Sequence, residues 1–185
     1  MEAKGTAVAT IPLFVKKKLG VQAYRQWLEA LTPTARSALS GAINNSAWYP
    51  MNEILIQPTK AICELFYAGN LKGAVELGRF SADHGLRGVY RFFVRIATPD
   101  FIIARASQIL PLYYRPSNMI VVEKGAGHTV IRVTDFPEPD EVVEHRVLGW
   151  MEQGLIVCGV NDTTATIAKS MTNGSPFTEY HVTWN

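Results

Sequence analysis

The residues that could bind a metal ion or attack a substrate are few and far apart in this sequence. Its four histidines are His84, His128, His145 and His181, and its two cysteines are Cys63 and Cys158. No two histidines have the helical spacing of a metal site, and no cysteine is near one of them in the chain. We therefore expect no metal ion. The apolar helical patterns around both cysteines predict buried free thiols; a disulfide, or a cysteine–histidine nucleophile pair formed by tertiary proximity, is the alternative.

A cluster of four acidic residues could supply a pair of catalytic carboxylates. They are Asp135, Glu138, Asp140 and Glu141. Acid–base catalysis needs the two groups within reach of one substrate in a cleft, whereas this cluster directly precedes a helical pattern. A solvated loop is the commoner role, with Asp140 near the helix N-terminus, where a negative charge meets the positive end of the helix dipole.

A row of arginines and a set of aromatic residues are the features that could bind a small molecule. Arg87, Arg91 and Arg95 are four residues apart on the helix expected over Leu86–Ala97. Such a row could bind an anion or nucleic acid, although it is more often a solvated helix edge paired with acids. The aromatic residues expected to converge between helices and sheet are Tyr90, Phe93, Tyr113 and Trp150. Core packing is their commoner role; an apolar ligand cavity, with Arg87 at the polar or anionic end of the ligand, is the more specific hypothesis.

Length and composition limit the class of protein. The chain has 185 residues, of which 48% are apolar and 18% charged, and its formal net charge is +2. The length predicts a single domain over residues 1–185, with a helical part, 1–117, and a sheet-plus-helix part, 118–185. The low charge indicates apolar surface that a partner covers or that encloses a ligand. A net charge this small does not argue for nucleic acid as a partner.

The N-terminal residues predict neither a leader peptide nor a membrane span. The apolar run Ala7–Val15 is interrupted by Thr10 and Pro12 and is followed by three lysines. It is too short for a signal peptide with its cleavage site or for a membrane-spanning helix. We expect a cytoplasmic protein in which residues 1–10 form a tail or one short added strand.

Helical patterns dominate the first two-thirds of the sequence. Apolar residues three and four apart predict a helix over Gly20–Leu31. Thr32–Pro33, a hydroxyl cap followed by proline, marks the start of a second helix. Ala47–Pro50 predicts a bend that holds two aromatic rings, because proline disfavours a helical conformation in the residue before it.

Further helices are expected before the strands begin. Asn70–Asp83 is rich in small residues, which allow another element to approach closely, and His84–Gly85 resembles a C-terminal cap. Thr98–Asp100 combines a cap, a proline and an acid, and it predicts the start of a helix that runs to about Tyr114.

The last third of the sequence contains strand patterns around one helix. Met119–Glu123 and Thr129–Thr134 flank the glycine-rich run Lys124–Gly127, which predicts a hairpin turn and not a phosphate loop, because no helix follows it directly. The later patterns are a helix from Asp140 to about Cys158 and strands over Thr163–Ser170 and Phe177–Trp184. We therefore expect an α+β fold, with a helical N-terminal two-thirds packed on a C-terminal antiparallel sheet of order strand-strand-helix-strand-strand.

The faces of these elements follow from their periodicity. The apolar stripe of the helix consists of Val143, Val147, Met151, Leu155 and Cys158. We expect Glu144 and Glu152 elsewhere on the surface. In the last strand Tyr180, Val182 and Trp184 share one face, and the other face holds Glu179, His181 and Thr183. One of these faces packs on the core, and the opposite face meets solvent or a dimer partner.

Three motifs carry a resemblance to a known family. They are Ser-Ala-Trp-Tyr-Pro (46–50), Asp-His-Gly-Leu-Arg-Gly-Val-Tyr-Arg-Phe (83–92) and Glu-Tyr-His-Val-Thr-Trp (179–184). With them, the chain from about Ile11 to Trp184 resembles the Myxococcus-type paralogous family of unknown function. The last third also resembles the 4-vinyl reductase domain, which is related in fold to haem-based nitric oxide sensors and to vesicle-tethering proteins.

The second resemblance implies an interior ligand pocket and frequent dimerisation. This sequence departs from the pattern of the related proteins in two respects. Zinc-binding members place cysteines near the final hairpin, and here Ser170–Thr178 contains none. The haem sensors use a proximal histidine on the helix before the sheet, and here Phe101–Tyr114 contains none. We therefore expect neither zinc nor haem, and no other cofactor.

The sequence as a whole predicts a non-enzymatic, cytoplasmic small-molecule-binding or sensory module for a hydrophobic ligand, in the form of a homodimer. The expected ligand-binding residues are Arg87, Tyr90, Phe93, Tyr113 and Trp150. A dimeric protein-interaction scaffold without a ligand is the alternative, and an enzyme with a spatially assembled site is a third hypothesis. No partner nucleic acid and no membrane span are expected.

Overall fold

Helices make up most of the N-terminal part of the fold. The computed structural model describes residues 1–87, 103 and 108–185 of the chain. Within them, the N-terminal helices are α1 (Gly5–Phe14), α2 (Val21–Ala30), α3 (Pro33–Ser40), α4 (Gln57–Tyr67) and α5 (Lys72–Arg87). The predicted helix start at Thr32 is confirmed, because Thr32 Oγ1 accepts a hydrogen bond from the Ala35 N–H at 3.2 Å.

A small sheet joins three distant segments of the chain. Strand β1 (Glu2–Lys4) pairs antiparallel with both β2 (Trp48–Pro50) and β3 (Tyr114–Arg115). The sequence predicted a bend at residues 47–50, and strand β2 takes its place. The helix predicted from Thr98 to about Tyr114 lies mostly outside the described residues; residues 108–112 at its end are helical, and β3 begins where the helix was expected to end. Strands of two or three residues are too short to show an alternation of apolar and polar positions. They form here because each strand pairs with the backbone hydrogen-bonding groups of its neighbour, and only the tertiary structure brings these segments together.

A second sheet of four antiparallel strands forms the C-terminal part. The strands are β4 (Asn118–Gly125), β5 (His128–Thr134), β6 (Thr164–Lys169) and β7 (Thr178–Thr183), in the spatial order β4-β5-β7-β6. Helix α6 (Glu141–Val157) connects β5 to β6, and Asp140 caps it by accepting a hydrogen bond from the Val142 N–H at 3.1 Å. The α+β class is confirmed. The predicted layout is not matched, because the N-terminal part also supplies strands and the sheet neighbours depart from chain order.

Helices α5 and α6 cross with their backbones in contact. A Cβ atom on Gly78 would lie 2.1 Å from the Arg146 carbonyl oxygen, and a Cβ atom on Gly149 would lie 2.1 Å from the Val75 carbonyl oxygen. The small residues of α5 therefore admit a close neighbour, as the sequence predicted. The predicted C-terminal cap at residues 84–85 was wrong, because α5 continues to Arg87.

Helix α6 faces the core with its apolar stripe and also with two acids. The buried members of the predicted stripe are Val143, Val147, Met151 and Leu155. Glu144 and Glu152 were expected at the surface, yet each is only 6% exposed. Arg79 Nη2 donates to Glu152 Oε2 at 2.6 Å, and the Ala165 N–H donates to Glu152 Oε1 at 3.1 Å. These donors belong to α5 and β6, so a sequence pattern confined to α6 could not reveal that the carboxylate is compensated.

The face of the sheet opposite α6 carries an ion-pair network on β5 and β7. Arg132 Nε donates to Glu179 Oε2 at 2.6 Å, and His181 Nε2 lies 3.2 Å from Glu179 Oε1. The Arg132 guanidinium holds the pKa of Glu179 below its ordinary value, and His181 adds to this lowering, although desolvation acts in the opposite direction. The network is polar, and it connects two neighbouring strands.

Glu179 is expected to make the stability of the protein pH-dependent in acid. A carboxyl whose folded pKa lies below its unfolded pKa stabilises the fold above the unfolded value, and this stabilisation is lost as the pH falls through the folded value. Between about pH 5 and pH 2, the urea midpoint of the wild-type protein should therefore fall more steeply than that of Glu179→Gln. Parallel pH profiles for the two proteins would contradict this role of the ion pair.

Candidate ligand-binding site

A cavity of about 620 Å³ lies between three helices and the inner face of the four-stranded sheet. Helices α1, α5 and α6 form one wall, and the sheet contributes Met119, Ile131 and Val182. The volume is within the range of small-molecule sites, roughly 300–1,000 Å³. Most of the described lining residues are apolar, so an apolar molecule would gain free energy by moving from water into this space.

Small side chains on α5 and α1 leave this volume open. Helix α5 lines the cavity with Gly78, Ser81 and Gly85, which are spaced three and four residues apart and therefore share one face of the helix. Helix α1 contributes Ala7 and Ala9 to the same lining. The small residues that bring α5 close to α6 at one point thus also keep space free beside it.

Tyr113 and Trp150 lie together at the cavity, where the sequence predicted a ligand-binding aromatic group. Both residues line it, and their ring centroids are 6.2 Å apart with an interplanar angle of 56°. Trp150 projects from α6, and Tyr113 precedes β3, so residues 37 positions apart in the chain meet in the fold. The rings present apolar surface with a polar N–H and O–H at their edges, which suits contact with a ligand that is mostly apolar.

The other three predicted site residues are not placed in this site. Tyr90 and Phe93 lie outside the described residues, and so do Arg91 and Arg95 of the predicted arginine row. Arg87 is the last residue of α5, and its side chain is not described. The roles of Arg87, Tyr90 and Phe93 in ligand binding therefore stay predictions.

Arg146 is a cavity residue that sequence reasoning missed. It projects from α6, lines the cavity and is 2% exposed. Its Nη1 donates to Thr59 Oγ1 at 3.4 Å, and its Nη2 donates to the Ala7 carbonyl oxygen at 3.3 Å. Burial lowers the pKa of Arg146 from its ordinary value, because desolvation disfavours the charged guanidinium. The signal in the sequence was its spacing three residues after Val143, which places Arg146 beside the apolar stripe of α6.

Two hydroxyl groups form a polar patch close to Arg146. Thr10 Oγ1 and Ser81 Oγ are 2.8 Å apart, and both residues line the cavity. Thr10 Oγ1 also donates to the Ala7 carbonyl oxygen at 2.7 Å, the same oxygen that accepts from Arg146. One region of an apolar cavity therefore combines a cation with two hydroxyls.

The described residues contain no cluster of three or more histidines, cysteines or acids that could hold a metal ion. Cys63 is buried and Cys158 is half-buried, and both are free thiols. Burial raises the pKa of both thiols, to about 11 for Cys158, so neither is an activated nucleophile. No helix in the described part of the chain is both long enough and apolar enough to cross a membrane.

The fold is similar to that of H-NOX proteins. An H-NOX protein from S. oneidensis, solved in the Fe(II)NO state, matches with a TM-score of 0.75 and 10% identity, over 98% of this chain and 99% of that chain. The NMR structure of the H-NOX domain from Shewanella oneidensis in the Fe(II)CO state matches with a TM-score of 0.69 and 12% identity, over 98% of both chains. The unliganded Fe(II) H-NOX protein from K. algicida has a TM-score of 0.61 and 15% identity, over 98% and 96%.

These similarities concern the fold alone, because so few residues are identical. They agree with the relation in fold to haem-based nitric oxide sensors that the sequence implied. No protein-family model matches the chain, and no curated protein matches it in sequence. The resemblance to the Myxococcus-type family and to the 4-vinyl reductase domain therefore stays a prediction.

Proposed function

We propose that this protein is a non-enzymatic sensory module that binds a small hydrophobic molecule in the cavity between α1, α5, α6 and the four-stranded sheet. The observation that carries the proposal is the cavity itself, at about 620 Å³ and with a mostly apolar lining. Its place at Tyr113 and Trp150 agrees with the aromatic group expected from the sequence. The similarity in fold to H-NOX proteins solved with NO or CO as ligands supports a sensory role.

The described donor set does not fit haem held through a proximal histidine. Among the described lining residues the histidine is His84, which is exposed and stacks on Phe80, with ring centroids 6.0 Å apart and an interplanar angle of 2°. No described hydrogen-bond partner orients its ring nitrogens, whereas metal-bound histidines almost always donate their second N–H to one. The sequence between Gly85 and Gly127 contains neither histidine nor cysteine. The proposal therefore assigns the cavity to a ligand other than haem.

Filling the cavity is expected to abolish binding without unfolding the protein. Val147 lines the cavity and is 7% exposed, so Val147→Phe would occupy part of the space that a ligand needs. We expect the affinity for Nile red, a neutral apolar dye whose fluorescence rises on binding, to fall by about tenfold or more. Circular dichroism and urea denaturation should show a folded protein, because the added ring enters open volume.

The matched control is Ile156→Phe on the same helix. Ile156 is 43% exposed, so the same ring would point toward solvent, and Nile red binding should stay at the wild-type level. If the wild-type protein binds no dye, or if Val147→Phe binds it as well as Ile156→Phe does, the cavity is not the ligand site.

A dimeric interaction scaffold is the alternative function, and one observation favours it. Ile120 and Val122 on β4 are 41% and 39% exposed, and β4 is an edge strand of the four-stranded sheet. Exposed edge strands with apolar side chains can pair with another chain. Native mass spectrometry of the purified protein separates the two functions, since a dimer that retains no small molecule would favour the scaffold. A retained small molecule, in a monomer or a dimer, would favour the sensory module.

A further inference from the structure

Arg146 is a buried cation for which the described residues supply no counter-ion. Its two hydrogen bonds, at 3.4 Å to Thr59 Oγ1 and 3.3 Å to the Ala7 carbonyl oxygen, are long and go to neutral acceptors. None of the ion pairs among the described residues includes Arg146. The other described arginines with ion pairs, Arg79, Arg115 and Arg132, contact their carboxylates at 2.6–2.7 Å.

An uncompensated guanidinium in this position is energetically unfavourable. Moving an ion out of water is unfavourable even after the protein relaxes, and a close anion with good geometry is what usually offsets that cost. Arginine cannot escape the penalty by losing its proton, because a guanidinium is not deprotonated in proteins. It also has five N–H donors in a planar fork, and two neutral acceptors leave most of that fork without a partner.

Arg146 belongs to the wall of the ligand cavity. The hydroxyls of Thr10 and Ser81, which donate to the Ala7 and Leu77 carbonyl oxygens, add polar groups to the same lining. The aromatic pair Tyr113 and Trp150 and the sheet residues make the rest of the lining mostly apolar. The described lining therefore contains a charged region and a larger apolar region, which is the complement of an amphiphilic molecule.

We propose that the cavity takes an amphiphilic monocarboxylate, in which an apolar chain or ring ends in a carboxylate that pairs with the Arg146 guanidinium. This inference rests on the proposed small-molecule function and specifies the chemical class of the ligand. A carboxylate matches the planar fork of arginine in a bidentate arrangement. Among the described lining residues Arg146 is the only arginine, and there is no lysine, aspartate or glutamate, so a single negative charge balances it, whereas a phosphate dianion would leave an excess.

Two probes that differ only in the head group test the proposal. Decanoate and 1-decanol have the same number of carbon atoms, and isothermal titration calorimetry can measure the binding of each to the full chain at pH 7. We expect the wild-type protein to bind decanoate about tenfold more tightly than 1-decanol, or better. In Arg146→Met, decanoate should lose this advantage, while 1-decanol should bind as it does to the wild type.

Arg146→Met keeps most of the length of the side chain and removes a buried charge, so the variant is expected to fold. Arg25→Met is the matched control, because Arg25 is exposed on α2 and its loss changes the net charge equally. Decanoate should bind to Arg25→Met with the wild-type affinity. Arg146→Lys should recover part of the preference, since lysine restores the charge without the planar fork.

Each result decides a separate question. If 1-decanol and decanoate bind the wild type equally, or if Arg146→Met keeps the preference for decanoate, the assignment of a carboxylate to Arg146 is wrong while the small-molecule function stands. If neither probe binds, and Nile red does not bind either, both the proposed function and this inference are contradicted. A purely structural role of Arg146 would change stability but not the ratio of the two affinities.

Discussion

Gly149→Ala is expected to lower the free energy of unfolding by about 3 kcal/mol, the upper part of the range for overpacking in a core. In an ordinary helix interior the same change stabilises by about 0.5–1 kcal/mol, because alanine has less conformational entropy to lose than glycine. The sign is reversed here because the new Cβ would lie 2.1 Å from the Val75 carbonyl oxygen and 2.9 Å from its carbon. These are backbone atoms of α5, which cannot rotate away, so the two helices would have to separate. Urea denaturation measures the effect.

Gly154→Ala is the matched control on the same helix. The nearest atom to its Cβ is a ring carbon of Trp150 at 3.4 Å, so the change should be neutral or slightly stabilising. Gly78→Ala should resemble Gly149→Ala, because its Cβ would lie 2.1 Å from the Arg146 carbonyl oxygen. The double variant Gly78→Ala, Gly149→Ala should lose less unfolding free energy than the sum of the two single losses, because the helices need to separate only once. Equal stability of Gly149→Ala and Gly154→Ala would contradict the close crossing of α5 and α6.

Glu144→Ala is expected to destabilise the protein by about 3 kcal/mol or more, because a carboxylate that accepts several hydrogen bonds would be lost from a buried site. Glu144 Oε2 accepts from Ser170 Oγ at 2.6 Å, and Glu144 Oε1 accepts from the Met171 N–H at 3.1 Å and from Thr178 Oγ1. Ser170 and Thr178 are 8% and 1% exposed, so water cannot readily replace the carboxylate. The connection between β6 and β7 would lose its attachment to α6.

Two variants refine this measurement. Glu144→Gln keeps the shape of the side chain and one acceptor oxygen, but it places an NH₂ group opposite the remaining donors. Its loss of stability should therefore be smaller than that of Glu144→Ala. Glu141→Ala removes an exposed acid from the first turn of α6 and should cost only about 0.3–1 kcal/mol through the helix dipole. If Glu144→Ala is no less stable than Glu141→Ala, the carboxylate does not hold the β6–β7 connection as the hydrogen bonds indicate.

Several individual elements were predictable because their signals are local. Thr32 and Asp140 start helices through hydrogen bonds to residues two or three positions ahead, and such short-range geometry is visible in the sequence. The apolar stripe of α6 repeats every three or four residues and is buried as its period indicates. The hairpin of β4 and β5 is set by the turn at residues 124–127 between two strand patterns.

The candidate site was predictable only in part. Tyr113 and Trp150 were expected from aromatic content on elements that had to face each other, and they do meet at the cavity. Arg146 was not expected, because a charged residue in a helical pattern is assigned to the solvent side unless its tertiary neighbours are known. Glu144 and Glu152 were assigned to the surface for the same reason, and donors from other elements bury them.

The sequence by itself therefore determined the α+β class, the N-terminal caps at Thr32 and Asp140 and the apolar face of α6, since each depends on residues close together in the chain. Only the tertiary structure decided the small sheet of β1, β2 and β3, the crossing of α5 and α6 at Gly78 and Gly149, and the cavity with Arg146 in its wall. The reason is physical: a backbone contact, a void and a buried charge are each defined by groups that are distant in sequence. The contribution of each to stability depends on the residues that a distant part of the chain places next to it.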